Sequence, residues 1–300
     1  MINNKRTIAI LLAAYNAEQF LSEQIDSIIQ QVYTDWTLYI RNDGSEDTTQ
    51  LIIDNYVEKF PDKIIQIDKN GQNLGCRGNF FRLFEEIESN YYMFSDADDY
   101  WLPEKIQVLY DAIQKLEKEY PDLPLQAFAD TIVCDAQLNV LEESHWRSAG
   151  INPEKFLSYN YMAVCCNAGG ACSIYNNKVK KMIFPLTNDF LIYDFWIAIN
   201  VAKYGKFKVV HYPLIKYRQH ASQVYGIGYG KKNSLCYKVR NIRRLIKQYR
   251  WEAQHHTEFG YGPHVKFYWY KLLTILKIRF EKNTSCFFIF FVIRFIYKEK

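Results

Sequence analysis

The apolar run Tyr91–Phe94 leads straight into Ser95-Asp96-Ala97-Asp98-Asp99. In an extended segment alternate side chains share a face, so Asp96 and Asp98 point one way and Asp99 the other. Two carboxylates at one strand end repel each other unless a cation stands between them. A divalent metal bridging a diphosphate suits such a pair, because Mg2+ takes one or two carboxylates together with substrate phosphates. The plainer alternative is a solvated acidic turn ahead of the helix that begins near Pro103, where the helix dipole favours negative charge. Other chemical patterns are weaker. Gly75 and Gly78 lack the Lys-Ser/Thr of a phosphate loop. His255–His256 has no third spaced ligand, and the adjacent Cys165–Cys166 reads as packing. The seven cysteines include no CxxC pair, so neither a disulfide framework nor a zinc ribbon is indicated, and reduced thiols are expected.

The elements that must position the acidic motif alternate along the first hundred residues. Thr7–Ala13 is a continuous apolar run, as expected for a strand buried on both faces. Phe20, Leu21, Ile25, Ile28, Ile29 and Val32 then fall on one helical face. Trp36–Ile40 reads as a second strand ended by the turn Asn42-Asp43-Gly44-Ser45, and Thr48 to Phe60 as a helix stopped before Pro61. Ile64–Ile67 is a third strand, Asn70–Asn79 leads into a helix through Phe84 and Ile87, and Tyr91–Phe94 is a fourth strand. Pro103 stands at a helix start, where proline costs least. The alternation predicts an α/β fold with a mostly parallel sheet flanked by helices. Ligands of such sheets bind beyond the carboxyl ends of the strands, so the turns after strands one, two and four are candidate ligand loops. Further on, Ala127–Cys134 and the stretch around Ala171–Tyr175 read as strands, Tyr193 to Lys203 as a helix, and Phe207–His211 with Leu214–Tyr217 as a strand pair interrupted at Pro213.

Four segments occur in a particular order: Ala14-Tyr15-Asn16, Asn42-Asp43-Gly44-Ser45-Glu46-Asp47, Asn73-Leu74-Gly75-Cys76-Arg77-Gly78-Asn79, and Ser95-Asp96-Ala97-Asp98-Asp99-Tyr100-Trp101. Together they resemble the family 2 glycosyltransferases, inverting enzymes with the GT-A nucleotide-diphospho-sugar fold. The likeness is nearest the rhamnosyltransferase-like branch, which also carries a Trp and Pro-Glu-Lys-Ile after its acidic motif, here Trp101 and Pro103–Ile106. Further matches are Gly169–Gly170, Tyr193-Asp194-Phe195-Trp196 and Tyr217-Arg218-Gln219-His220. The resemblance implies that Ala14, Tyr15 and Asn16 line the base and ribose pocket, that Asp43 accepts a hydrogen bond from the base, and that Arg77 lies near the base or phosphates. It implies Asp96 at the ribose or metal and Asp98 as the principal ligand of a divalent metal, Mg2+ or Mn2+. By the same likeness Asp194 is the catalytic base, Trp196 flanks the acceptor, and His220 meets the metal or diphosphate. The chemistry agrees, since an alcohol is a poor nucleophile until a base takes its proton. The expected partners are a nucleotide-diphospho-sugar donor, with UDP, dTDP and GDP all open, and a glycan acceptor that is lipid-linked, in surface-polysaccharide synthesis. A sugar-nucleotide pyrophosphorylase is the enzyme alternative, although Ala14–Glu18 lacks its Gly-rich loop. A sugar-nucleotide-binding module at the membrane surface, without catalysis, is the other.

Composition divides the chain in two. Apolar residues make up 49% and charged residues 23% of 300, which excludes disordered and low-complexity classes. Residues 231–300 hold sixteen Lys and Arg against four Glu, a net of +12, which leaves −8 for residues 1–230 within the total of +4. A catalytic domain over 1–230 and a basic, aromatic, helical C-terminal extension over 231–300 are therefore expected. No signal peptide is read at the start, and Phe287–Ile293 is far short of the roughly 20 apolar residues that span a bilayer. That run, with Phe287, Phe288, Phe290 and Phe291 beside basic residues, is read as peripheral contact with the cytoplasmic face of an inner membrane, or as packing on the body. No nucleic-acid-binding module accompanies the charge.

Overall fold

The apolar run at the N-terminus forms the central strand β1 (Ile8–Ala14), which pairs in parallel with β2 (Trp36–Asn42) on one side and β4 (Tyr91–Asp96) on the other. The computed structural model describes residues 8–69, 71–186, 192–221, 223, 242–258 and 260–281. Register brings the three strand ends to one edge: Ala14 stands opposite Asn42, and Ala13 opposite Asp96. Three turns expected to carry ligands therefore leave the sheet side by side.

The connections are α1 (Leu21–Ile29), α2 (Thr49–Lys59), β3 (Ile64–Gln66) and α3 (Gly75–Glu86). After β4 come β5 (Tyr100–Trp101), α4 (Lys105–Glu119), β6 (Leu125–Cys134), β7 (Val140–Glu142), α5 (His145–Ala149) and α6 (Tyr159–Met162). Then follow β8 (Ser173–Asn176), α7 (Asn177–Ile183), α8 (Tyr193–Tyr204), β9 (Lys206–Arg218), α9 (Ile242–Glu258) and α10 (His264–Glu281). The strands form one sheet in the order β3-β2-β1-β4-β8-β6-β9-β5, with β7 on β6. The α/β architecture expected from the alternation is present, and the sheet is mixed. β1 to β4 are parallel; β8 enters antiparallel between β4 and β6, and β6 pairs in parallel with β9.

One expectation is corrected. Residues 206–218 form a single strand, not a pair broken at Pro213. The register against β6 slips between Ala129↔Val210 and Asp130↔Pro213, a bulge in the ladder. Proline, which has no N–H to donate, is tolerated at such a place.

Alternation of side chains gives the sheet two packed faces. Ile8, Ile10, Leu12, Tyr91 and Met93 join Ile25, Ile28, Leu109 and Ile113 of α1 and α4. On the opposite face Phe94 meets Phe80 and Phe84 of α3, Tyr175 of β8 and Tyr193 of α8, at centroid distances of 4.5 to 5.7 Å. Aromatic pairs in tilted and edge-on geometry add to the burial of apolar area.

The chain groups into two units, residues 1–145 with 168–218, and residues 146–167 with 219–300. In the second unit the Tyr261 hydroxyl donates to the Asn160 carbonyl at 2.8 Å, and Asn160 Nδ2 to the Tyr270 hydroxyl at 3.0 Å. Lys271 Nζ donates to the Val164 carbonyl at 3.0 Å, and Lys277 Nζ stands 3.7 Å over the Tyr161 ring. Of the basic stretch Lys238–Arg250, residues 238–241 lie outside the described residues, as does the whole run Phe287–Ile293 with Phe287, Phe288, Phe290 and Phe291.

Within the first unit, α1 fixes the acidic motif. Gln24 Nε2 donates to Ser95 Oγ at 2.8 Å, and the Trp101 N–H donates to Ser27 Oγ at 3.1 Å. Gln31 Nε2 donates to the Leu102 carbonyl at 2.8 Å while its Oε1 accepts the Ile106 N–H at 3.0 Å. α4 thus receives from α1 an acceptor for one of its unpaired N-terminal amides. Gln31→Ala is expected to lower unfolding free energy by about 1–3 kcal/mol, because it strands a buried donor and a buried acceptor. Urea denaturation checks this, and an unchanged midpoint would refute it.

Candidate active site

The turns after β1 and β2 form one surface. Asn16, at φ +45°, accepts the Glu46 N–H on Oδ1 at 2.9 Å, and its own N–H donates to Ser45 Oγ at 2.9 Å. The Ala17 N–H donates to Thr49 Oγ1 at 2.8 Å, and the Ala14 carbonyl accepts the Asp43 N–H at 2.9 Å. Asparagine tolerates this left-handed backbone better than most residues. Tyr15 projects between these tethered residues and is half exposed.

Asp43 is held from behind by Arg41, a fully buried cation at the end of β2. Arg41 Nη1 donates to Asp43 Oδ1 at 2.6 Å and to Asn79 Oδ1 at 3.1 Å. Its Nε donates to Asp68 Oδ2 at 2.9 Å and its Nη2 to the Gln72 carbonyl at 2.8 Å. Asp43 Oδ1 also accepts the Leu74 N–H at 2.8 Å. Oδ2 of Asp43 makes no hydrogen bond among the described residues. The clamp leaves no room at Gly71, where a Cβ would fall 2.3 Å from Asp68 Oδ2 and 2.4 Å from Arg41 Nη2. Arg41 and Asp68 are site residues that the motif reading missed. The signal for Arg41 was a charge set inside an otherwise apolar strand.

At the end of β4, Asp96 and Asp98 keep partial access to solvent while Asp99 has none. Asp99 Oδ1 accepts the Arg218 N–H at 3.2 Å, and the Asp98 carbonyl accepts Arg218 Nε at 2.6 Å. Arg218 Nη2 also pairs with Glu23. Burial, then the charges of Asp98 and Asp194, push the Asp96 carboxyl from the ordinary 3.8 to about 7. Asp99 is pushed well up by burial and by Asp98 and Asp96.

Asp194 sits in the first turn of α8. Its Oδ2 accepts the Gly170 N–H at 3.3 Å and its Oδ1 the Phe195 N–H at 2.7 Å. Burial raises its carboxyl above the usual range, and these two N–H groups oppose the rise. Beneath it Tyr193 packs on Phe80 at 4.2 Å and Phe94 at 4.5 Å. Gly170 lies against that ring, and a Cβ there would fall 2.5 Å from the Tyr193 hydroxyl.

Cys76 reports the convergence. Its thiol is pushed up to about 12 by burial and then by the charges of Asp96, Asp194, Asp43 and Asp98. The charges of four carboxylates, one from the turn after β2, two from the acidic motif and one from α8, are therefore felt at one side chain. Arg77, one residue on, stacks on Phe81 at 4.9 Å. Trp196 is buried in α8, and His220 lies beyond β9 in the second unit. No cluster of three or more His, Cys, Asp or Glu among the described residues has the arrangement of a metal cage. Asp96 and Asp98 suit the alternative arrangement, in which one or two carboxylates share the ion with substrate phosphates. Burial raises the Asp96 carboxyl most, and a cation would offset the further rise that Asp98 and Asp194 cause.

Comparison with known proteins agrees with this geometry. The family model "Glycosyl transferase family 2" matches residues 9–159. An uncharacterised glycosyltransferase of Nostoc sp. is 26% identical over 228 residues, 72% of this chain and 65% of that protein. The dTDP-rhamnosyl transferase RfbG of Shigella flexneri is 35% identical over 106 residues, 34% of this chain and 36% of its own length. The chain thus spans less than two thirds of either relative. Among solved structures, a mannosyltransferase of Pyrobaculum calidifontis, in complex with GDP-Man and Mn2+, aligns over 98% of this chain and 81% of its own, with a TM-score of 0.52 at 12% identity. That likeness carries the fold.

The Asp96 carboxyl holds its proton more tightly folded than unfolded, so its contribution to stability is full below about pH 4 and is lost as pH rises through about 7. The melting temperature of the ligand-free protein is expected to fall across that window, and Asp96→Asn to flatten the fall. A pH series of thermal melts checks this; the same slope in both proteins would contradict it.

Proposed function

The chain belongs to glycosyl transferase family 2, and on that premise we propose that it transfers a sugar from a nucleotide diphosphate to a hydroxyl of a glycan acceptor with inversion at the anomeric carbon. The convergence of Asp43, Asp96, Asp98 and Asp194 around Cys76 carries this reading. Catalysis is assigned to residues 1–230. The nucleotide lies over the turns after β1 and β2, where Ala14, Tyr15 and Asn16 line the base and ribose pocket. The unpaired oxygen of Asp43 accepts a hydrogen bond from the base, and Arg77 lies near the base or phosphates. Asp98, with Asp96 beside it, would hold a divalent metal, Mg2+ or Mn2+. When bound, the ion offsets the charge that develops on the departing diphosphate.

Asp194 takes the proton of the acceptor hydroxyl as its oxygen bonds to the anomeric carbon and the diphosphate leaves with the bonding pair. The Gly170 and Phe195 N–H groups fix the orientation of this carboxylate, and burial raises its basicity towards the working pH. A single displacement of this kind needs one base and no enzyme nucleophile. Trp196 flanks the acceptor side.

The acceptor is proposed to be a lipid-linked intermediate of a surface polysaccharide, met at the cytoplasmic face of the inner membrane through residues 231–300. No helix among the described residues is long and apolar enough to cross a membrane. Instead α9 exposes Trp251, Lys247 and Arg250, and α10 exposes Val265 and Trp269. Exposed indoles beside cations suit an anionic interface.

The Shigella relative is named for dTDP-rhamnosyl transfer, so a donor panel begins with dTDP- and UDP-sugars, with Mn2+ present. Asp194→Asn is expected to keep the donor-induced thermal shift and lose about 10²–10⁴-fold in transfer. Asp98→Asn is expected to lose the metal-dependent part of donor binding. Near-normal transfer by either variant would overturn the assignment, and absence of transfer in the unaltered protein with every donor would favour a binding module. In co-sedimentation, the full chain is expected to bind vesicles containing anionic lipid, less so at high salt and less so as Trp269→Ala. Equal recovery with neutral and anionic vesicles would remove the electrostatic part of the membrane reading.

A further inference from the structure

Lys105, the first residue of α4, is fully buried. Its Nζ donates to the Ala171 carbonyl at 2.6 Å and stands 3.1 Å from the centroid of the Trp101 ring. Among the described residues that carbonyl is its one hydrogen-bond acceptor, although an ammonium carries three donors. Burying a cation so sparsely bonded is costly, and a methionine of similar length would pack there without that cost. Burial draws the ammonium down to about 7, against the charges of Cys172, Asp99 and Asp96.

The place of its single bond explains the arrangement. Ala171 is the middle residue of the 3-10 turn Gly170–Cys172, and Gly170 is the residue whose N–H reaches Asp194 Oδ2. At 3.3 Å that hydrogen bond is already long, so a displacement of a few tenths of an ångström would break it. The Tyr193 ring lies against Gly170 closely enough to exclude a Cβ. The turn is thus held at Ala171 by an ammonium and bordered at Gly170 by an aromatic ring. Lys105 also opens the helix that follows the acidic motif, so the same residue ties the donor-side carboxylates to the turn that orients the acceptor-side one.

We propose that Lys105 is a positioning residue for glycosyl transfer, anchoring the Gly170–Cys172 turn so that the Gly170 N–H stays on Asp194. The proposal rests on the reading of Asp194 as the base. Lys105 touches neither donor nor acceptor and acts through the backbone of the turn.

The test compares Lys105→Met, Asp194→Asn and the double variant in the full chain. Hydrogen exchange over residues 168–176, UDP and dTDP binding with Mn2+, and transfer in the assay above are the readouts. Lys105→Met is expected to exchange about tenfold faster at residues 170–172, to bind nucleotide within about twofold of the unaltered protein, and to lose about tenfold or more in kcat. The double variant is expected to be no slower than Asp194→Asn alone, since the lysine acts through the carboxylate. Gly170→Ala displaces the turn from the Tyr193 side without touching the buried charge. It should show the same loss in kcat with nucleotide binding kept, which covers the case of a Lys105→Met protein that fails to fold. Unchanged exchange and kcat in Lys105→Met, unchanged kcat in Gly170→Ala, or a multiplicative loss in the double variant would each overturn the proposal. If Asp194→Asn alone transfers normally, it is the base assignment that fails, and the exchange result still stands as a test of the anchoring.

Discussion

Like charges gathered at the edge of a buried sheet repel one another, and the first unit is organised around holding them in place. Asp43, Asp96, Asp98 and Asp194 share one neighbourhood, and Asp99 lies just behind. Three cations oppose them from the protein side. Arg41 pairs with Asp43, Arg218 donates from Nε to the Asp98 carbonyl and from its backbone N–H to Asp99 Oδ1, and the field of Lys105 reaches Asp96 and Asp99. Each cation is buried, so its position is fixed by the fold and not by solvent. The compensation is incomplete: after burial, which acts most, Asp98 and Asp194 each push the Asp96 carboxyl up more than Lys105 draws it down. A site left with excess negative charge is prepared to receive a cationic or cation-bearing ligand.

Such an arrangement depends on strand register more than on any single contact. A one-residue slip of β4 against β1 would turn Asp96 to the opposite face of the sheet and exchange the two packed faces. The glutamines of α1 guard against it, because Gln24 and Gln31 reach β4 and the start of α4 with directed hydrogen bonds. Polar side chains here specify alignment while the apolar ones supply the driving force.

Much of this was legible in the sequence because the responsible signals are local. Apolar runs of strand length, each ended by a polar turn, located β1, β2 and β4 together with the loops that leave them. Asp96 and Asp98 stood out because acids directly after an apolar strand are unusual. Long-range partners were not legible. Nothing near Arg41 in the chain announces Asp68 or Asn79, and nothing near Lys105 announces Ala171, since those contacts exist only once the sheet is assembled. Pro213 misled because proline commonly ends a strand, whereas a bulge absorbs it here. The grouping of residues 146–167 with the C-terminal helices likewise depends on contacts such as Tyr261 with Asn160, which no local pattern encodes.

The lysines of the second unit alter what its composition means. Lys271 and Lys277 are bonded to backbone carbonyls and lie against aromatic rings, and Lys266 is held in the same way by Tyr261 and Tyr159. A cation fixed between a carbonyl dipole and a ring face acts as a rivet joining helix to loop. Among the described residues these three lysines are therefore committed to internal contacts, and the charge that α9 turns outward is that of Lys247 and Arg250 beside the Trp251 indole.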